Sequence, residues 1–110
     1  MKDRRHFARA ESKWPVTIIS PDSQPLGEIN SISQVGASIY CHELPSTVQE
    51  LRLEIQPPNR RPIIVLAKPI WSNDADTTES SYRFVFGVQF KYISEDDLQF
   101  LGDIVSKQSH

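Results

Sequence analysis

The chain has 110 residues, of which 38% are hydrophobic, and this is enough for one small domain with a modest core. Its formal net charge at pH 7 is −2, but the first 13 residues carry +3 and the rest of the chain carries −5. Charge gathered at one end favours an anionic ligand held at one place, whereas a protein that coats nucleic acid needs a whole basic face. We therefore expect no DNA or RNA partner.

Cysteine usage and hydropathy indicate the cellular compartment of the protein. Cys41 is the only cysteine, so no internal disulfide can form, which fits a reducing cytoplasm. The longest apolar run, residues 63–67, is too short to cross a bilayer, and no signal-peptide core follows Met1. The sequence predicts a cytoplasmic protein without membrane insertion.

Alternation of apolar and polar residues, bounded by turn residues, predicts β-strands through most of the chain. The predicted strands cover residues 14–20, 26–32, 37–41, 51–55, 63–71 and 82–92. Strand 63–71 is predicted to be buried on both sides over part of its length, and residues 72–81 are a predicted polar loop.

One helical pattern follows the last predicted strand. Ser94 and Asp97 form the start of a capping box. Four apolar residues then fall on one helical face: Leu98, Leu101, Ile104 and Val105. This helix is predicted to pack on the strands or against a second copy of the chain, so a homodimer stays open.

Six short strands in about 80 residues are enough to close a small antiparallel barrel filled by side chains. The predicted fold is all-β, a six-stranded antiparallel β-barrel over residues 13–93 with a C-terminal α-helix over residues 94–107. A flexible arginine-bearing segment, residues 1–12, precedes it. Because a filled barrel leaves no pocket inside, a ligand must bind on the outer wall, where the segment can fold over it.

Three arginines stand within six residues of that segment: Arg4, Arg5 and Arg9. An arginine side chain pairs with phosphate through two parallel hydrogen bonds, stacks on flat rings and recognises the O6/N7 edge of guanine. A guanine nucleotide offers all three surfaces. A basic tail without a ligand is simply solvated, and the cluster by itself leaves both interpretations open.

Two short motifs stand in order along the chain. Arg5 and Arg9 enclose three residues, and Ser31, Ser33 and Gly36 follow with the spacing S-x-S-x-x-G. Together they resemble the RxxxR and (D/N)xSxxG motifs of PilZ domains. Either motif alone is a weak signal, but the pair in this order is fairly specific.

The rest of the chain is similar to the same family. Trp71 at the end of a strand, the strand segment 87–90 and the C-terminal helix all resemble PilZ domains. The resemblance implies a six-stranded barrel whose outer face binds the bacterial second messenger cyclic di-GMP, with the arginine segment wrapping the nucleotide. It implies no other cofactor.

The resemblance also implies roles for single residues. Arg5 and Arg9 clamp the phosphates or stack on the guanines, and Arg4 goes with a stacked pair of nucleotides, hence two molecules per site. Ser33 offers a hydroxyl beside the ligand. Gly36 permits a positive backbone angle or a close backbone approach. The predicted ligand-binding residues are Arg4, Arg5, Arg9, Ser31, Ser33 and Gly36.

The second motif departs from the family at Ser31, where the family has Asp or Asn. A serine hydroxyl accepts fewer hydrogen bonds from a guanine edge than a carboxylate does and reaches less far, so weaker binding is expected. Asn30 is adjacent, but strand alternation places it on the opposite face unless a bulge rotates it. Ser31 and Ser33, two residues apart, are predicted to share the outer wall.

Other chemistry finds little support. The three histidines and Cys41 have no metal-ligand spacing, so no metal site is expected. Asp74, Asp76 and Glu79 fall in a polar loop and are interpreted as solvated charges rather than catalytic carboxylates. The larger aromatic residues are predicted to be core, although one exposed ring could stack on a purine: Trp14, Trp71, Phe84, Phe86 and Phe90. An enzyme is not expected.

Two function classes remain. In the first, cyclic di-GMP orders the arginine segment and creates a surface for a downstream protein in motility, adhesion or exopolysaccharide control. In the second, the chain is a nucleotide-independent adaptor that works through protein contacts alone. The arginine pair favours the first, and Ser31 leaves the second open.

Overall fold

Alternating apolar side chains build the interior of a closed barrel. A computed structural model of the chain describes residues 12–20, 24–45, 49–76 and 81–108. Its strands are β1 (Pro15–Ile19), β2 (Leu26–Ile32), β3 (Gly36–Cys41), β4 (Leu51–Ile55), β5 (Ile63–Asp74) and β6 (Phe84–Ile93), and helix α1 (Glu95–Gln108) follows them. All pairings are antiparallel, and the barrel closes in the order β1-β2-β3-β6-β5-β4. The predicted fold class is confirmed.

The core lies inside the barrel and receives side chains from every strand. Side chains two residues apart point to the same face of a strand, so the apolar half of each pattern turns inward. Among the described residues, twelve large side chains are less than 2% exposed: Val16, Ile18, Ile29, Ile32, Ile39, Leu51, Leu53, Ile55, Ile63, Val65, Phe86 and Leu101. Their burial is the main stabilising term, at about 25 cal/mol per Å² of apolar surface removed from water.

Strand β5 differs from the prediction in two ways. Ile63 and Val65 are buried, but Ile64 and Leu66 are each 39% exposed, so burial on both sides is wrong. The reason is that a closed barrel has one dry face and one wet face. The strand also continues to Asp74, beyond the predicted end at residue 71, because pairing with β6 supplies its backbone hydrogen bonds there.

Helix α1 begins at the predicted cap. The hydroxyl of Ser94 accepts a hydrogen bond from the backbone N–H of Asp97 at 3.2 Å, and the Leu98 N–H donates to the Ser94 carbonyl at 2.9 Å. Leu101 and Val105 belong to the same buried cluster as the barrel interior. Of the two predicted packings, the structure shows the helix on the barrel.

A buried carboxylate ties the start of α1 to the turn between β4 and β5. Asp97, 2% exposed, pairs with Arg60 at 2.8 Å and with Arg61 at 3.3 Å. The Arg60 guanidinium lies 4.1 Å from the centroid of Phe100, and that ring stacks on Trp14 at 6.1 Å. The contacts link the helix to the residues that lead into β1.

No helix in the described part of the chain is long and apolar enough to cross a membrane.

Candidate functional site on the outer wall of the barrel

An irregularity in β2 shapes the outer wall. Ile29 lies opposite Ile39 and Ser31 lies opposite Ser38, so Asn30 is an extra residue in a β-bulge. Ile29 and Ile32 are both fully buried, and the two residues between them therefore both lie on the outer side, where each is half-buried. The bulge overturns the expectation from simple alternation that Asn30 faces away from Ser31.

A single hydroxyl joins these two side chains. The amide nitrogen Nδ2 of Asn30 donates to Ser38 Oγ at 3.0 Å, and Ser31 Oγ lies 2.9 Å from the same atom. Ser38 is 4% exposed, so the two outer residues cover it. We call Asn30, Ser31 and Ser38 the polar cluster.

The side chain of Ser33 stabilises the loop between β2 and β3 through hydrogen bonds to the loop's own backbone. Its hydroxyl accepts hydrogen bonds from the N–H groups of Val35 at 3.1 Å and Gly36 at 3.2 Å, and it donates to the Gly36 carbonyl at 3.3 Å. Ser33 is only 1% exposed. The prediction that it shares the outer wall with Ser31 is wrong, because β2 ends at Ile32 and the chain turns there.

Of the two reasons predicted for a glycine at position 36, a positive backbone angle and a close backbone approach, the structure shows the second. None of the described glycines has a positive φ, so this position needs no left-handed backbone. A Cβ at Gly36 would instead collide with the backbone carbonyl of Val88 on β6. The glycine lets β3 approach β6 closely at the end of the strand next to the loop.

The wall continues from the polar cluster to an exposed indole. Ser38 on β3 lies opposite Gly87 on β6, and Gly87 lies opposite Trp71 on β5. The Trp71 ring covers Gly87, since a Cβ there would strike the indole, and the side chain remains 44% exposed. The prediction that Trp71 is a core residue is therefore wrong, whereas Phe86, 1% exposed, is core as predicted.

Beside Trp71 the wall holds a cleft of about 280 Å³. It is lined by Leu44, Pro45, Pro69, Ile70, Trp71, Ser72 and Phe86. A second bulge in β5, between Pro69 and Trp71, turns Ile70 outward and leaves it 57% exposed. The outer wall thus offers apolar surface around Trp71.

The chain enters the barrel beside the polar cluster. The Ile29 N–H donates to the Trp14 carbonyl at 2.8 Å, and Pro15 lies opposite Glu28. Because β1 and β2 are antiparallel, residues before Trp14 lead toward the residues that follow Ile29, which are those of the bulge. The chain before Trp14 is therefore directed toward the polar cluster.

Arg4, Arg5 and Arg9 lie outside the described residues. Their predicted contacts with a ligand stay predictions. Arg9 precedes Ser12 by three residues, and three residues of chain span at most about 10 Å.

An aromatic stack borders the site along β3. Tyr82 lies between His42 at 4.6 Å and Tyr40 at 5.9 Å, and Tyr40 is two residues beyond Ser38 on the same face. Burial raises the pKa of the Tyr82 phenol, and the negative charge of Glu28 and a hydrogen bond to it add to the effect. The stack anchors the residues before β6 against the wall.

The described residues offer little for metal or thiol chemistry. In the portions of chain that the structure covers, no group of three or more His, Cys, Asp or Glu side chains is placed to hold a metal ion. Cys41 is fully buried, and that burial raises the pKa of its thiol to about 11. The thiol therefore stays protonated at neutral pH and is a poor nucleophile.

Sequence reasoning placed Asn30 on the face opposite Ser31, did not single out Ser38 and placed Trp71 in the core. A signal for the bulge is present in Ile29-Asn30-Ser31-Ile32, where two apolar residues stand three apart and break the period of two. No comparable signal marks Trp71, whose position depends on the glycine opposite it on another strand.

The strand order and the helix define the class of protein, a six-stranded antiparallel β-barrel domain with a C-terminal helix. The sequence matches the PilZ domain over residues 3–107. The chain belongs to the PilZ domain family, and the resemblance of its motifs is confirmed at the level of the family.

Solved structures show the same fold. The inhibitor of motility MotI/DgrA of Bacillus subtilis superimposes with a TM-score of 0.81 at 21% identity, covering 96% of this chain and 51% of that protein. The PilZ domain of YcgR from Escherichia coli, in a structure with cyclic di-GMP, superimposes with a TM-score of 0.75 at 14% identity. The match covers 96% of this chain and 92% of that one. YcgR from the same organism, in complex with cyclic di-GMP, superimposes with a TM-score of 0.72 at 14% identity. The match covers 94% of this chain and 45% of that one.

The chain thus spans about half the length of MotI/DgrA and of the longer YcgR structure. None of the curated proteins matches its sequence.

Proposed function

We propose that the chain is a receptor for cyclic di-GMP that binds the nucleotide on the outer wall between the polar cluster and Trp71. The observation that carries the proposal is the register of β1 and β2, which directs the chain before Trp14 toward the polar cluster and so supports a role for the arginine segment there. The family, and the cyclic di-GMP in the structures of YcgR, support the choice of ligand. In this proposal the domain regulates by binding and does not catalyse a reaction.

The arginine segment supplies the positive charge for the phosphates. Arg9 stands three residues before Ser12, so its guanidinium can reach the wall beside β2. Arg5 and Arg9 together can clamp two phosphates, or can hold one phosphate and stack on a guanine. Arg4 adds a third cation, which supports a second nucleotide stacked on the first.

The wall supplies the surface for the bases. Ser31 and its neighbours present hydroxyl and amide groups, and Trp71 offers an indole face on which a purine can stack. Ser31, Ser38, Gly87 and Trp71 lie opposite one another on four neighbouring strands. The distance from Ser31 to Trp71 is therefore three strand spacings, roughly 14 Å. Ser33 and Gly36 take part by shaping the loop that edges this surface.

The proposed output is a contact with a downstream protein. Closure of the segment over the nucleotide creates a surface that is part protein and part ligand, and that surface engages a partner in motility, adhesion or exopolysaccharide control. The similarity to an inhibitor of motility favours the first of these processes. The free Cys41 agrees with work in the reducing cytoplasm.

One observation favours the adaptor instead. Ser31 replaces the Asp or Asn of the family motif, and its hydroxyl is already bonded to Ser38. If the wall binds no nucleotide, the same surface works through protein contacts alone.

Isothermal titration with cyclic di-GMP tests the proposal. We expect the wild type to bind, and Arg5→Ala or Arg9→Ala to weaken binding by at least tenfold, since each charge-assisted hydrogen bond contributes roughly 1.5 to 3 kcal/mol. Arg52→Ala on β4, a strand outside the proposed site, is the matched control and should bind as the wild type does. Thermal melts of all variants should agree within a few degrees, and no heat of binding in the wild type would favour the adaptor.

A further inference from the structure

We propose that Asn30, rather than the motif residue Ser31, recognises the guanine base, and that Ser31 and Ser38 hold its carboxamide in position. This role rests on the proposed binding of cyclic di-GMP. It assigns base recognition to a residue outside the motif that the sequence suggested.

The first step is the position of Asn30. The bulge in β2 places two consecutive side chains on the outer wall between the buried Ile29 and Ile32. A strand without the bulge would put Asn30 inside the barrel or force Ser31 there. The extra residue therefore brings a carboxamide to the outer wall beside Ser31, which stands at the first position of the family's motif.

The second step is the orientation of the carboxamide. Nδ2 of Asn30 donates to Ser38 Oγ at 3.0 Å, and the same hydroxyl bonds Ser31 Oγ at 2.9 Å. With Nδ2 turned toward Ser38, the amide cannot rotate without losing this bond. The acceptor Oδ1 lies on the opposite arm, and within the described parts of the chain no donor reaches it.

The third step is the chemistry of the base. A guanine edge carries the donors N1–H and N2–H₂, which an oxygen acceptor matches, whereas adenine has an acceptor at N1 and no amino group at C2. A free asparagine recognises adenine by donating from Nδ2 and accepting at Oδ1. Here one of the two N–H groups of Nδ2 is directed at Ser38, and we infer that Oδ1 is the atom that meets the base, as an acceptor that favours guanine.

The fourth step is reach. The Ser31 hydroxyl is one bond from Cβ and is engaged with Ser38. The Oδ1 atom of Asn30 is one bond further out. Ser31 is therefore a positioning residue, which acts on the base through Ser38 and Asn30.

Affinity for two ligands, cyclic di-GMP and cyclic di-AMP, tests the inference. Asn30→Ala should weaken the binding of cyclic di-GMP by about tenfold or more. It should leave the affinity for cyclic di-AMP unchanged, so that the ratio of the two affinities, which measures the preference for guanine, falls. Asn30→Asp keeps an oxygen acceptor and should bind cyclic di-GMP at least as tightly as the wild type. Ser38→Ala releases Nδ2 and should narrow the preference by improving the relative affinity for cyclic di-AMP, a change that a purely structural role would not produce.

Three outcomes would overturn the role of Asn30 while the wild type binds. They are wild-type affinity in Asn30→Ala, a wild-type base preference in both Asn30→Ala and Ser38→Ala, and tighter binding of cyclic di-GMP by Ser31→Asp, which would place the base at position 31. A wild type that does not bind cyclic di-GMP would instead overturn the proposed function, and the base-reading role with it. A thermal melt of each variant excludes loss of fold as the cause.

Discussion

At the scale of single residues, two glycines on the same wall meet obstacles of different kinds. At Gly36 an added Cβ would strike the backbone carbonyl of Val88, which a barrel strand cannot easily move. At Gly87 it would strike the indole of Trp71, a partly exposed side chain that can turn away. Gly36 is therefore needed for the packing of the barrel strands, whereas Gly87 makes room for the Trp71 ring on the outer wall.

Alanine substitutions should separate these roles. Gly36→Ala should lower the free energy of unfolding by roughly 1 to 3 kcal/mol, the usual cost of overpacking, measured by urea denaturation. Gly87→Ala should change stability by less than about 1 kcal/mol but displace the indole of Trp71. In a Trp14→Phe background Trp71 is the only tryptophan, and its fluorescence emission should shift to longer wavelength.

The control for this pair is the parent Trp14→Phe protein without a glycine change. If Gly36→Ala unfolds at the same urea concentration as its parent, the close approach of β3 to β6 is not as described. If Gly87→Ala leaves the emission unchanged, the indole does not lie over the glycine.

At the scale of elements, the described residues attach the start of helix α1 to the barrel through polar contacts. Asp97 pairs with Arg60 and Arg61 at the helix start. At the next residue, the Leu98 carbonyl accepts a hydrogen bond from the side chain of Gln34 at 3.1 Å. Because Gln34 belongs to the loop between β2 and β3, the helix also supports the edge of the proposed site.

Loss of the Asp97 carboxylate should loosen this attachment. Asp97→Asn keeps the shape of the side chain but removes a charge that is 2% exposed and bonded to Arg60 at 2.8 Å, and we expect a loss of about 2 kcal/mol in the free energy of unfolding. Asp96→Asn is the matched control, since it removes a charge from the same helical turn at an exposed position. It should cost only a few tenths of a kcal/mol, through the helix dipole.

Urea denaturation of the two variants at low and high salt measures the difference. The Asp96 effect should be screened by salt, and the Asp97 effect should persist because the pair is buried. Equal losses for the two variants would mean that the Arg60 pair contributes nothing beyond the dipole.

At the scale of the whole molecule, positive charge is concentrated in the first residues of the chain. The first 13 residues carry +3 and the rest carries −5, so most of the surface repels a phosphate and the arginine segment attracts it. A cyclic dinucleotide has two phosphates. A stacked pair of nucleotides brings four, and Arg4 adds to the two arginines of the motif.

The number of nucleotides bound should therefore depend on Arg4. Titration of the wild type should give two cyclic di-GMP per chain, and Arg4→Leu should move this number toward one. Lys2→Leu removes the same charge from the same segment without an arginine fork, so it should weaken binding modestly and keep the number at two. A wild-type value of one, or identical behaviour of the two variants, would contradict a stacked pair that depends on Arg4.

Patterns that depend on near neighbours were predictable from the sequence. The bounds of β2 and β4 match the predicted 26–32 and 51–55, because alternation over five to seven residues already separates a dry face from a wet one. The start of α1 was predictable from Ser94 and Asp97, since a helix cap is made within one turn of chain. The closed barrel and the PilZ family were also within reach of the sequence, and the use of the outer wall by a ligand stays a prediction.

The details of that wall were decided by contacts between distant strands. The bulge at Asn30 exists because β2 must match the register of β3 on both sides of it, and Trp71 lies outside because Gly87 on β6 leaves a flat place for its ring. Ser33 is withdrawn into the loop by hydrogen bonds that form only when the chain reverses. The sequence by itself determined which segments alternate, where the helix begins and which end carries the positive charge, because these properties are local. Only the tertiary structure decided which polar side chains share one face, because strand register is set by pairing across the barrel.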